Sequence, residues 1–118
     1  MNHAHTPVLH ALGLCARARA LTFGVPMLCE AMRTGRPPKL VLIAADVSDN
    51  TRKRLLDKCS YYHVPYQTLP FGTGELAHAV GKTSGLGAVG VADENFCRLI
   101  SSAIERSALL APDSSQDA

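Results

Sequence analysis

The chain predicts an α/β domain of three layers, with helices on both faces of a central sheet, and three observations carry that expectation. Leu40-Val41-Leu42-Ile43-Ala44-Ala45 is apolar throughout, without alternation, as a strand covered on both faces would be. Ala88-Val89-Gly90-Val91-Ala92 repeats that pattern late in the chain. Around these two runs, apolar residues recur at helical spacing, so helices and strands alternate as they do in a layered α/β/α domain. A length of 118 residues suits one domain, and an apolar fraction of 47% supplies its core without disulfides or metal.

The elements follow in order. Residues 1–6 read as a disordered leader, residues 7–110 as the folded domain and residues 111–118 as a disordered polar tail. Val8, Ala11, Leu12 and Cys15 are spaced for a first helix that ends near Arg17 and Arg19, where cations complement the helix dipole. Ala20 to Phe23 is a short extended segment. Pro26 suits the first turn of a second helix, whose inward stripe is Leu28, Ala31 and Met32, and which Gly35 and Pro37-Pro38 terminate. After the Leu40 strand, Ser48 or Asp49 caps a third helix with Leu55, Cys59 and Tyr62 inward and the Arg52-Lys53-Arg54 run on a solvated face, with a direct RNA role for that run as the alternative. Tyr66 to Leu69 is the next strand, and a short helix over Gly74 to Val80 stops at Gly81. Lys82 to Gly87 is a loop. The Ala88 strand leads to a last helix with the stripe Phe96, Leu99, Ile100 and Ala103.

Composition narrows the function. Twelve basic against ten acidic residues give a formal charge of +2, which permits nucleic-acid binding without demanding it. The cations are concentrated before residue 60, while Asp93, Glu94, Glu105, Asp113 and Asp117 crowd the end. Cys15, Cys29, Cys59 and Cys97 stand singly on helical stripes and are expected to be small buried hydrophobes in a reducing cytosol. No metal site or cofactor is implied. Neither an export signal nor a membrane span is visible, so the expected location is the cytoplasm, and the expected state a monomer.

Chemistry-bearing motifs are sparse. Gly81-Lys82-Thr83 has the end of a phosphate-binding P-loop, but Leu76 stands where its first glycine belongs and a helix precedes it instead of a strand. Cys59 or Cys29 with His63 or His78 would be the only nucleophile and base pairs, and nothing in the sequence brings them together. Asp46 and Asp49 are explained by turn and cap chemistry. His78, on the short helix ahead of the Lys82 loop, is placed within reach of a ligand there but reads as a surface or cap residue. The strongest local feature is Gly24, followed at once by a helix, because a helix start offers free N–H groups and a positive dipole end to an anion.

Several short segments resemble the ribosomal kink-turn RNA-binding family of the L7Ae and L30e type, most nearly its small bacterial YlxQ-like branch. They are Leu12-Gly13-Leu14 with Arg17-Ala18, Gly24 with its helix to Gly35, Lys39 to Asp46, Ser48 to Thr51, Asp57-Lys58-Cys59, Val64-Pro65, Glu75 to Lys82 and Val89-Gly90-Val91. The likeness runs from about Val8 to Ile104. It implies a sandwich around a mixed four-stranded sheet, no catalytic activity, and a grip on kinked RNA by two elements. Those elements map to Gly24–Arg33 and Lys82–Ala88.

The resemblance therefore nominates Arg17, Arg19, Gly24, Val25, Pro26, Met27, Glu30, Arg33, Lys82, Thr83, Ser84, Gly85, Leu86 and Gly87 as the RNA-contacting set. Relatives that bind RNA carry Gly-x-Asn-Glu-x-x-Lys at the helix start. Here Pro26 replaces the asparagine, Met27 the glutamate and Glu30 the lysine, while Ala77 replaces a glycine of the short helix. Two readings follow: a noncatalytic protein of structured RNA, near the ribosome or the translation and transcription machinery, or a protein-interaction module on the same scaffold. The second would use Val25, Pro26, Met27 and Leu86 as an apolar patch.

Overall fold

The computed structural model describes residues 6–110, with side chains described through Arg106. Its elements are α1 (Thr6–Arg17), β1 (Leu21–Phe23), α2 (Val25–Arg33), β2 (Leu40–Ile43), α3 (Asp49–Tyr62), β3 (Tyr66–Thr68), α4 (Thr73–Ala79), β4 (Ala88–Val91) and α5 (Glu94–Leu110). The strands form one sheet in the order β1-β4-β2-β3. β4 runs antiparallel to β1 and β2, whereas β2 and β3, joined through α3, are parallel, so the sheet is mixed.

The two central strands explain the layers. Their side chains alternate between faces, and both faces are dry. Leu40, Leu42, Val89 and Val91 join the cluster beneath α1, α4 and α5, with Leu12, Cys15, Leu76, Ile100 and Ala103. Val41, Ile43 and Ala88 face the other way, onto Leu28 and Met32 of α2 and Leu55 and Cys59 of α3. Gly90 shares that second face, where a Cβ would fall 2.5 Å from Leu28 Cδ2 and 2.8 Å from Pro38 Cβ.

Several boundaries differ from the sequence reading. Thr6, assigned to the leader, begins α1, since Pro7 fits a first turn that needs no N–H donor. The rest of the leader and the 111–118 tail lie outside the described residues. β2 stops at Ile43 because the Ala44 and Ala45 N–H groups leave the ladder, donating to the carbonyls of Gly87 (2.9 Å) and Phe71 (2.8 Å). α4 starts at Thr73. The α5 stripe is rotated: Ile100 and Ala103 are buried, but Leu99 is 39% exposed and faces out beside Leu14 of α1.

The cysteines divide. Cys15 and Cys59 are buried as expected, whereas Cys29 and Cys97 are half-buried. Burial, with smaller effects from Cys97 and Asp93, pushes the Cys15 thiol up to about 11, and burial raises Cys59 as well. Thiols so held stay protonated and serve packing, not attack. Among the described residues no helix is long and apolar enough to cross a membrane.

α1 ends in a Schellman turn, in which the Ala20 N–H donates to Cys15 O (3.1 Å) and the Arg19 N–H to Ala16 O (3.0 Å). Arg19 occupies the left-handed position of that turn, at φ 59°, where glycine is the unstrained choice. Arg19→Gly is therefore expected to raise stability by about 1 kcal/mol. A higher urea midpoint at unchanged slope is the readout. A midpoint at or below wild type would show that the arginine side chain holds the turn by contacts that outweigh the strain.

Candidate functional site

The topology itself assembles the site. Because β1 and β4 are antiparallel, the end of β1 lies beside the start of β4, with Phe23 opposite Val89. The turn into α2 and the loop entering β4 therefore meet at one end of the sheet. The Gly24 N–H donates to Ala88 O at 2.9 Å, tying them together. Gly24 has φ 90° and ψ 152°, a conformation open essentially to glycine alone, and it turns the chain sharply from β1 into α2. Its carbonyl accepts from the Leu28 N–H at 3.1 Å, closing the first helical turn. The Val25 and Met27 N–H groups precede any helical acceptor, and Pro26 has none to offer.

The loop stands against this helix start. A Cβ on Gly24 would lie 4.0 Å from Leu86 Cδ1, and one on Gly87 would lie 3.7 Å from Val25 Cγ2 and 3.3 Å from Val47 Cγ1. Small residues thus let the backbones approach, while Val25, Val47 and Leu86 seal the seam. Lys82 places its Nζ 4.4 Å from the Phe23 ring centre, so a cation sits over the residue next to Gly24. The Leu86 N–H donates to Thr73 O at 3.3 Å, and the Thr73 N–H donates to Asp46 Oδ1 at 2.8 Å. Asp46 thereby caps α4, whose own cap position, Gly72, has no side chain, and the loop is pinned through Thr73.

The nominated residues do not all converge. Gly24, Val25, Lys82, Leu86 and Gly87 come together, and exposed Pro26 and Met27 border them, Met27 at 58% exposure. Thr83, Ser84 and Gly85 form the exposed rim of the loop. Arg17 lies to one side, in a groove between α1 and α4 with His78 and Gly81 on the facing wall. Arg19 is exposed just beyond α1. Arg33 sits in the last turn of α2, about 12 Å along the axis from Val25 at 1.5 Å per residue. There it is paired with Glu30, Nη2 to Oε2 at 2.7 Å. Hydrogen bonding to Arg33, reinforced by its charge, holds the Glu30 carboxyl below its ordinary range. The carboxylate's charge is thus answered within the helix.

Sequence reasoning missed Phe23, Val47 and Thr73. Phe23 had a signal, an aromatic immediately before the turning glycine. Thr73 and Asp46 are 27 residues apart and had none. Arg52, read as solvated, instead donates to Thr68 Oγ1 (3.1 Å) and reaches the Ala44 and Ala45 carbonyls (3.5 Å each), clamping the ends of β2 and β3. The nucleophile pairs find no support: Cys59 is buried, while His63 is the exposed left-handed cap of α3.

Fold and site together define an α/β/α domain in which a glycine-started helix and a small-residue loop meet at one end of the sheet. The chain belongs to the ribosomal protein L7Ae/L30e/S12e/Gadd45 family, whose model matches residues 7–100. It is 36% identical over 94 residues to the RNA-binding protein YlxQ of Bacillus subtilis, covering 80% of this chain and 91% of that one. The corresponding Enterococcus faecium protein is 33% identical over 97 residues, with 82% and 90% covered. Among solved structures, a protein of unknown function from Bacillus halodurans superposes with TM-score 0.74 at 35% identity, covering 83% of this chain and 96% of that one. A Giardia lamblia 15.5 kD RNA-binding protein shares the fold at TM-score 0.67 and 18% identity, with 93% and 92% covered.

Proposed function

We propose that this chain is a noncatalytic, cytoplasmic RNA-binding protein that holds structured, kink-turn-like RNA between the start of α2 and the 82–87 loop. The observation that carries the reading is the closure of the Gly24 helix start against that loop, with Lys82 held over Phe23 beside it. Free N–H groups and a fixed cation suit phosphates, and an exposed small-residue rim suits an unstacked nucleotide. Pro26 and Met27 carry no donors for base edges, so contacts to the backbone dominate and affinity is micromolar or weaker. The family and the names of the two YlxQ proteins support RNA as the partner.

The test is a titration of a kink-turn RNA against a straight duplex of equal length over a salt series. Preference for the kinked RNA, with affinity falling steeply as salt rises, is expected. Negligible retention of both at low salt overturns the proposal. Within the same assay, Glu30→Lys reverses a charge and frees Arg33 from its ion pair, so about a fivefold gain at low salt is expected. No gain would place Glu30 away from the phosphates.

The exposure of Met27 beside Pro26 favours one alternative, a protein partner seated on Val25, Met27 and Leu86. On that reading a partner protein captured by wild type is lost with Met27→Glu, while retention on kink-turn RNA is negligible.

A further inference from the structure

We propose that the exposed face of α3 is a second RNA-contact surface, one that takes an unpaired strand by stacking a base on Tyr61 and holding its phosphates with Arg54 and Lys58. The proposal rests on the RNA reading above but concerns a separate surface. Arg54, Lys58 and Tyr61 stand at positions i, i+4 and i+7 of one helix and so share a face, where with Asp57 and Tyr62 they line a shallow cleft. Tyr61 is 77% exposed, the highest value among the large hydrophobic side chains that reach solvent in the described residues. Its ring adds nothing to the core, yet it is not loose. Tyr62, packed against the α2–α3 cluster, meets it edge-on at 4.8 Å between centroids and 82° between planes. One tyrosine thus braces the other and leaves a ring face open, as a stacking platform requires.

The cations sort in the same direction. Arg33 is held by Glu30, Arg98 by Glu94, and Arg52 by Thr68 with two backbone carbonyls. Asp57, the acidic group of the cleft, faces Lys53 at 4.0 Å. Among the described residues exposed Arg54 and half-buried Lys58 make no ion pair or side-chain hydrogen bond, as is also true of Arg17, Arg19, Arg36 and Lys39, so their charges are available to an anionic partner. Cations beside an open aromatic ring supply the charge for phosphates and the platform for a base, and this combination tolerates sequence because every base has a π face. α3 leaves the sheet at the end where the Gly24 site lies and runs about 21 Å toward the other end at 1.5 Å per residue. RNA held at the helix start can therefore extend a single-stranded arm along the helical layer to Tyr61.

Three RNAs test the proposal by fluorescence anisotropy: a blunt kink-turn, the same RNA with a single-stranded extension, and an isolated cytidine-adenosine strand of roughly 12 nucleotides that cannot self-pair. The extension is expected to tighten binding about tenfold, and Tyr61→Ala to abolish that gain while leaving the blunt RNA unaffected. Tyr61→Phe, which keeps the ring, is expected to retain the gain. The isolated strand should bind weakly and lose retention with Tyr61→Ala or with Arg54→Ala plus Lys58→Ala. An extension without benefit, or a benefit that survives Tyr61→Ala, overturns the proposal even if the blunt RNA binds. Binding of the isolated strand through Tyr61 with no binding of the blunt RNA would uphold this surface and overturn the Gly24 site. A wild-type dimer that Tyr61→Ala converts to monomer, with no RNA effect, would assign the face to a second copy of the chain.

Discussion

Gly90→Val is expected to destabilise the domain by about 3 kcal/mol, at the upper end of what overpacking a core costs. For a domain of this size that is a fall in melting temperature of roughly 15 °C, measurable by thermal circular dichroism. The backbone at Gly90 is not in the left-handed region, so valine's own conformational preference suits the strand and cannot be the cause. The cost is steric. Gly90 pairs with Thr22 on one side and Val41 on the other, which leaves its strand no freedom to shift sideways. A Cβ there would lie 2.5 Å from Leu28 Cδ2 and 3.0 Å or less from Pro38 Cβ and Cγ. Leu28 is fully buried and Pro38 has a rigid ring, so α2 must lift from the sheet. Because α2 begins at Gly24, the same displacement separates the helix start from the 82–87 loop, and RNA retention should fall with stability. A melting temperature within a few degrees of wild type would mean that Leu28 repacks without moving the helix. Leu28→Ala combined with Gly90→Val should recover part of the loss, because it removes the nearest of the atoms struck and leaves Pro38 in place.

The difference between what was legible in the chain and what was not follows from the range of each interaction. β2 and β4 were readable because an unbroken apolar run needs no knowledge of its neighbours, and all eight of their residues are buried. The cap of α3 was readable for the same reason: Ser48 accepts from the Thr51 N–H three residues on, at 3.1 Å. The nearness of Gly24 to the Lys82 loop came from resemblance, since nothing local in either segment requires the antiparallel pairing of β1 with β4. Arg52 was misread because a charged residue on a helix is ordinarily solvated. Only the folded chain brings Thr68 and the ends of β2 within its reach. Leu99 was misread because a helical stripe locates a face only to within about one position, and the packing of α1 on α5 decided which. By sequence, Glu30 simply puts an acid where relatives carry lysine, whereas the structure adds Arg33 at 2.7 Å and makes the pair locally neutral.

Gly24→Ala is the complementary experiment, since space is available there and conformation is not. An alanine Cβ would meet Pro26 Cδ at 3.8 Å and Leu86 Cδ1 at 4.0 Å, ordinary contact distances. Yet φ 90° with ψ 152° lies in a region that side chains of L configuration avoid, at a cost of about 2 kcal/mol. The chain can relieve that strain only by rotating the peptide that now donates to Ala88 O, so the link between helix start and loop is the first to yield. Stability should therefore fall by about 2 kcal/mol, and RNA affinity by at least about tenfold, because the Val25 and Met27 N–H groups no longer point where the loop presents its rim. The salt dependence should stay nearly unchanged, since no cation has been removed. A D-alanine introduced at position 24 by semisynthesis separates the two causes, as its mirror-image preference accepts positive φ while adding the same methyl group. Retained stability and affinity with the D residue, against loss of both with the L residue, would show that the backbone turn at Gly24 sets the geometry of the site. Equal loss with both would instead locate the effect in the added methyl, and hence in direct contact with the ligand or with Leu86.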